Sequence, residues 1–228
     1  MKLIERHNYT KLTREDGGPD GRKYVDPHGN RLPSVTTILD HTKSEESKKA
    51  LEGWRRRIGE KRAAEITQEA AFRGTLMHGY LERHLRGENP KPGTNFYHQQ
   101  SYKMADVILE HYLRPFLDEI WGLETALYYP ELYAGTTDMV GLYQGRPSIV
   151  DFKQTNRMKT DDRVQDYKAQ LAAYAAAHNA VHGTDIRQGV ILMCSKDLEP
   201  QRWILNGEEF DHYTNLWWHR VAKYHRVD

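Results

Sequence analysis

A chain of 228 residues, 38% hydrophobic and 29% charged, is long enough to bury a real core and too apolar to stay disordered. A formal charge of +1 is low for a nucleic-acid binder, whose backbone affinity comes from Lys and Arg, so any such binding must rest on local clusters. The single cysteine, Cys194, excludes an intrachain disulfide and a four-cysteine iron–sulfur cluster, and no apolar run is long enough to cross a bilayer. The opening Met-Lys-Leu-Ile-Glu-Arg-His has neither an apolar core nor a small-residue cleavage pattern, so no signal peptide and a cytoplasmic location are expected.

Positions 1 to 40 read as a β-hairpin region turning at Asp26-Pro-His-Gly-Asn30 and closing on Pro33 and the β-branched run Val35-Thr-Thr-Ile38. Positions 44 to 119 read as mainly helical. A first helical stretch runs from Ser44 to Arg86, with breaks at Gly59 and around Phe72–Gly74. The loop Gly87–Gly93 follows, and a second helix spans Gln99 to Glu119. Three strands come next, at 122–130, 132–143 and 147–153. A helix over 161–181 leads to a strand at 186–195 that holds Cys194 as a buried residue, then a hairpin-like stretch at 199–205 and a last helix at 207–224. No linker or repeat interrupts the chain, so a single domain over 1–228, with its core at 122–195, is expected.

The chemistry concentrates in the middle strands. Gly135-Thr-Thr-Asp138-Met-Val-Gly-Leu-Tyr143 alternates as a half-buried strand, Gln144-Gly145 supplies a two-residue turn, and Pro147–Lys153 returns. That turn sets Asp138 opposite Asp151, with Lys153 on the same face. Like charges placed directly opposite repel, so such a pair calls for a cation. A D-x-K tripeptide alone is common, and Asp and Lys at strand ends are ordinary. Two further patterns shift the balance. Upstream, Gly74, His78 and Glu82 stand one turn apart on one helix face. Downstream, Tyr167, Gln170 and Tyr174 share a side of an Ala-rich helix.

In order, the set G-x-x-x-H-x-x-L-E, G-T-x-D, D-F-K and Q-x-x-x-Y resembles the RecB-like branch of the PD-(D/E)XK nuclease superfamily, and within it the mitochondrial genome maintenance exonuclease family with its phage and bacterial relatives. Leu32-Pro-Ser-Val-Thr-Thr-Ile-Leu39, Leu51-Glu-Gly-Trp54 and Glu131-Leu-Tyr133 add to that resemblance, which runs from about Leu32 to about Trp218. One departure is Gln154, where relatives commonly carry Thr after the Lys. The resemblance implies a mixed α/β fold: a restriction-endonuclease-like core with a central mixed sheet flanked by helices, an N-terminal β-hairpin and a helical insert.

It also implies a site. Asp138, Asp151, the Phe152 carbonyl and His78 would hold one or two Mg²⁺ or Mn²⁺ ions, with Glu131 as a further ligand or outer partner. The donor types suit those ions. Lys153 would position or deprotonate the attacking water and offset the developing negative charge. Gln170 and Tyr174 would orient the site or the substrate phosphate, and Glu82 would orient Arg73 or His78. Basic residues near these motifs, Arg55, Arg56, Arg73, Arg157 and Lys159, are candidate DNA contacts. The activity expected is hydrolysis of single-stranded DNA from an end, in replication, repair or recombination. Two alternatives stay open: a same-fold endonuclease acting on branched or duplex DNA, and a non-catalytic DNA-binding or assembly factor.

Overall fold

The computed structural model describes residues 2–4, 6–18 and 21–226; of the N-terminal heptapeptide read for a leader, Met1 and Glu5 lie outside the described residues. A two-residue strand β1 (Lys2–Leu3) opens the chain. β2 (Thr13–Gly18), β3 (Gly21–Val25) and β4 (Arg31–Pro33) then form a small antiparallel sheet. The turn after β3 falls at Asp26, whose carboxylate accepts from the His28 and Asn30 amides at 2.9 and 2.8 Å.

The β-branched run does not extend this sheet. Val35–His41 is helix α1. Ser34 caps it, accepting the Thr37 amide at 3.0 Å, and Val35, Ile38 and Leu39 are buried at helical spacing. A good cap with an apolar stripe outweighs the weak strand preference of Val, Thr and Ile. Helix α2 (Glu45–Ile58) ends as expected at Gly59, whose φ of 86° no helix accepts. α3 (Glu60–Leu85) then runs unbroken through Phe72–Gly74, where the Gln154 side chain packs over Gly74 and bonds the Ala70 carbonyl.

α4 (Phe96–Ile108) continues through a π-helical turn at Leu109–Leu113 into the single turn α5 (Arg114–Phe116). β5 (Leu117–Tyr129) starts there, well before Gly122, so the helix expected to reach Glu119 stops short. Pro115 cannot donate to a helical ladder, and Leu117 and Ile120 pair instead with Tyr143 and Gly141. β6 (Tyr133–Tyr143) and β7 (Arg146–Thr155) follow. A short 3₁₀ turn at Asp161–Arg163 precedes α6 (Gln165–His182), and β8 (Gly189–Ser195), β9 (Pro200–Leu205) and α7 (Gly207–His225) complete the order.

The main sheet runs β1-β5-β6-β7-β8-β9, parallel at β1–β5 and β7–β8 and antiparallel elsewhere. Helices cover both faces. On one, Met77 and Leu81 of α3 and Met104 and Ile108 of α4 pack on Met139, Val150 and Leu192. On the other, Ile38, Leu171 and Trp217 from α1, α6 and α7 pack on Val140, Ile149 and Ile191. Burial from both sides is why β8 reads as a continuous apolar run, with Cys194 inside it. Among the described residues no helix is long and apolar enough to cross a membrane.

Candidate metal and phosphate site

Hairpin geometry comes first. Gln144 and Gly145 both take positive φ, 52° and 71°, as a tight hairpin turn requires. The ladder runs from Tyr143–Arg146 to Met139–Val150 and stops one pair before Asp138 and Asp151. Asp138 turns its side chain into the next ladder position, where its Oδ2 accepts the Phe152 amide at 2.6 Å. Its other oxygen lies 3.2 Å from His78 Nδ1, so the helix and the hairpin meet at this carboxylate. Gly135, in the same strand, leaves room for Tyr174: a Cβ there would stand 2.8 Å from the ring.

Asp151 is held between Asp138 and Lys153. Its buried Oδ2 carries the ion pair with the Lys153 ammonium. The Lys153 ammonium also lies 4.9 Å from the Tyr167 ring centroid. Burial raises the Asp151 pKa and the Asp138 charge adds to it, against the pull of Lys153. Asp138 goes the other way: burial would raise it, but His78, Lys153 and the Phe152 amide together hold it below the ordinary value. Burial works against a protonated His78 and is outweighed by Asp138, so its pKa is raised. Two neighbouring carboxylates pushed apart in this way mark an electrostatically built site.

One ligand candidate escapes the sequence patterns. Glu124 of β5 lies across from Asp138, between the paired positions Leu123–Met139 and Thr125–Thr137, with φ of 48°. One ligand atom from each of His78, Glu124 and Asp138 falls within 4.8 Å of the others. Desolvation and then the Asp138 charge raise the Glu124 pKa to about 7. The β5–β6 turn is the signal that could have found it, since counting back along both strands from it leads from Asp138 to Glu124. Glu131, the carboxylate expected to assist, is instead exposed in that turn, outside the converging group.

These side chains open into a cavity of about 710 Å³. Gly74, His78 and Glu82 line it from α3, Lys153 and Gln154 from β7, and Gln170 and Tyr174 from α6, where Gln170 Nε2 donates to Tyr174 Oη at 3.1 Å. Arg14, Arg22 and Tyr24 of the small sheet also line it, a contribution that sequence spacing does not signal. Gln154, at the departure from the family pattern, donates to the Ala70 carbonyl at 2.9 Å and accepts from Arg73 at 3.2 Å. It therefore ties β7 to α3 directly above the site.

Several expected DNA contacts lie elsewhere. Arg73 is buried and spends its guanidinium on Gln154 and Asn156, so it supports α3 and does not face the cavity. Glu82 pairs with Arg86 at 2.8 Å, not with Arg73 or His78. Arg55 and Arg56 are exposed on α2 and do not line the cavity. Arg157 is exposed beyond β7, and Lys159 lines a different cavity with Arg202 and Trp203.

The donor set fits a hard divalent cation. Two carboxylates and an imidazole converge, and Asp151, ion-paired with Lys153, adds a buried carboxylate beside Asp138.

No family model matches the chain. It is similar to mitochondrial genome maintenance exonuclease 1 of Mus musculus, 29% identical over 204 residues that make up 86% of this chain and 59% of that protein. The Xenopus tropicalis protein of the same name is 28% identical, over 85% of this chain and 57% of its own length. The chain thus spans under three fifths of these curated relatives. Among solved structures, a provisionally named exonuclease from Eubacterium rectale matches with a TM-score of 0.50 at 17% identity, covering 68% of this chain and 65% of that one. The resemblance to an exonuclease family read from the motifs therefore extends over most of the chain, and the fold is a mixed sheet flanked by helices, consistent with a PD-(D/E)XK-like core.

Proposed function

We propose that the chain is a metal-dependent deoxyribonuclease that hydrolyses single-stranded DNA from an end. The observation that carries this reading is the convergence of His78, Glu124 and Asp138 within 4.8 Å, beside the Asp151–Lys153 ion pair and open to one cavity. The exonuclease name of the similar proteins supports it.

His78, Glu124 and Asp138 would hold Mg²⁺ or Mn²⁺, with Asp151 and the Phe152 carbonyl completing the set. When bound, such an ion supplies a water of lowered pKa and polarises the phosphoryl oxygen. The residues of the chain do the rest. Lys153, paired with Asp151 and facing the cavity, presents an ammonium to the charge that builds on the phosphate oxygens during attack. Gln170 is positioned through Tyr174 to hold a phosphate oxygen or the attacking water. Gln154 fixes the distance between α3 and β7, and so between His78 and Asp138.

The test is cleavage of end-labelled linear single-stranded DNA beside its circular form and a duplex, each with Mg²⁺, Mn²⁺ or EDTA. Metal-dependent loss of the linear strand alone is expected. Cutting of the circle would replace the exonuclease with an endonuclease, and no cleavage by folded, metal-supplied protein would overturn the reading.

A further inference from the structure

The site cavity does not end at Glu124. A second cavity of about 630 Å³ shares Arg14, Tyr24, Glu124 and Thr136 with it, so a single groove runs past the candidate ligands. Its floor is β5 from Trp121 to Ala126, and its far wall is the segment 7–12, with Arg86, the residue after α3, also reaching it. This segment is pinned down. Ile4 donates its amide to Ile120 at 2.7 Å, and Tyr9 bonds His178 Nε2 at 3.1 Å through its hydroxyl. Tyr9 also lies so close on Gly122 that a Cβ there would stand 2.7 Å from its ring.

Resting on the nuclease reading above, we propose that this second cavity is a strand-binding subsite. A single polynucleotide strand with its scissile phosphate at the His78–Glu124–Asp138 cluster continues along β5, its backbone held by Lys11 and Arg14. Lys11 is exposed on the groove wall and makes no hydrogen bond or ion pair among the described residues, so its ammonium is available to a phosphate. Arg14 borders both cavities. Its pairing with Asp16 at 2.8 Å is a solvent-exposed ion pair of the weak kind, readily exchanged for a phosphodiester. A net charge of +1 makes such local cations the available source of backbone affinity. α3 walls the first cavity and the N-terminal segment walls the second, so the groove is bounded along its length.

The test separates the subsite from the chemistry. Binding of fluorescein-labelled oligothymidylates of two to twelve nucleotides is measured by anisotropy in EDTA, across a salt series, for the wild-type chain and for Lys11→Gln and Lys11→Glu. Hydrolysis of the p-nitrophenyl ester of thymidine 5′-monophosphate, which reaches only the cation cluster, is measured in parallel with Mn²⁺. Lys11→Glu is expected to weaken the twelve-mer about tenfold, to leave the dimer nearly unchanged and to flatten the log–log salt slope by about 0.7, the loss of one single-strand phosphate contact. Ester hydrolysis should match wild type. An unchanged twelve-mer affinity and salt slope in both variants would overturn the subsite, as would tighter binding of a duplex than of a strand of equal length. A wild-type chain that cleaves neither ester nor DNA would sink the nuclease reading, with the anisotropy series still deciding on the groove.

Discussion

Two clusters of buried and half-buried titratable side chains stand on this fold, and they are built on opposite principles. Around the β6–β7 hairpin, Asp138, Asp151, Lys153 and His78 bring charges of both signs together, and Asp138, Lys153 and His78 face a cavity. At the far end of α6, His178 is fully buried with both ring nitrogens engaged, by Tyr9 at 3.1 Å and Thr184 at 2.7 Å, while His7 packs edgewise and His182 at a tilt against it. Burial, then His182 and His7, push the His178 pKa down to about 3. Both clusters are strongly perturbed, so perturbation alone does not mark a functional site. What separates them is closure at the centre: both ring nitrogens of His178 are bonded inside the protein, whereas His78, Glu124 and Asp138 converge on an open cavity.

The sharpest way to break this contrast is to disable the open cluster. Asp138→Asn keeps the shape but loses the charge that faces His78. We expect nuclease turnover to fall by about 10²–10⁴-fold, with the folded circular-dichroism spectrum retained. Activity within a few-fold of wild type would remove Asp138 from the machinery. Glu124→Gln should come next. By titration calorimetry its Mn²⁺ affinity is expected to drop by roughly tenfold or more, whereas Glu131→Gln should bind as wild type does, because Glu131 lies outside the converging group. The reverse ranking would return the ligand role to Glu131.

The closed cluster should respond in stability and not in chemistry. His178 has a folded pKa below the unfolded value of 6.5, so above that pH neither state binds the proton and the cluster adds no pH dependence. As pH falls through 6.5 the unfolded chain takes up a proton that the folded chain refuses. Stability is then lost at up to about 1.4 kcal/mol per pH unit for this group. His78, with its raised pKa, contributes in the opposite sense, so the comparison must be between proteins. Urea denaturation at pH 7.5, 6.5 and 5.5 should show a shallower acid loss in His178→Gln than in wild type, although the variant starts lower for want of its two hydrogen bonds. Parallel slopes would mean that His178 does not govern acid sensitivity.

How much of the fold and the site is legible in the amino-acid sequence depends on how local the determining contacts are. The β6–β7 hairpin is legible because a two-residue turn and strict alternation fix the register of everything behind it. The shared face of Gly74, His78 and Glu82 is legible because helical spacing is rigid, and all three do line the cavity. Glu124 is not, since its place opposite Asp138 depends on the register set by the β5–β6 turn, where Glu131 takes a positive φ that its residue type does not announce. Arg14, Arg22 and Tyr24 reach the site only because the small sheet docks on β6, where Tyr24 meets Thr136 at 3.2 Å over a long sequence separation. Val35–Ile38 misleads because β-branching is a weaker instruction than the cap at Ser34.

The smallest effects test the close approaches that hold the open cluster in shape. Gly135→Ala would place a methyl 2.8 Å from the ring of Tyr174, a buried aromatic braced by Gln170. Gly74→Ala would meet only the Gln154 side chain, at 3.3 Å. The first neighbour has little freedom to yield and the second is flexible. Gly135→Ala should therefore cost about 1–3 kcal/mol of stability, as overpacking does. In Gly74→Ala the gain of about 0.5–1 kcal/mol in helix propensity offsets much of the crowding. Thermal melts order the two. If Gly74→Ala proved the more damaging, the Gln154 bridge between α3 and β7 would be stiffer than its single side chain implies, and the spacing of His78 and Asp138 would be set there rather than behind β6.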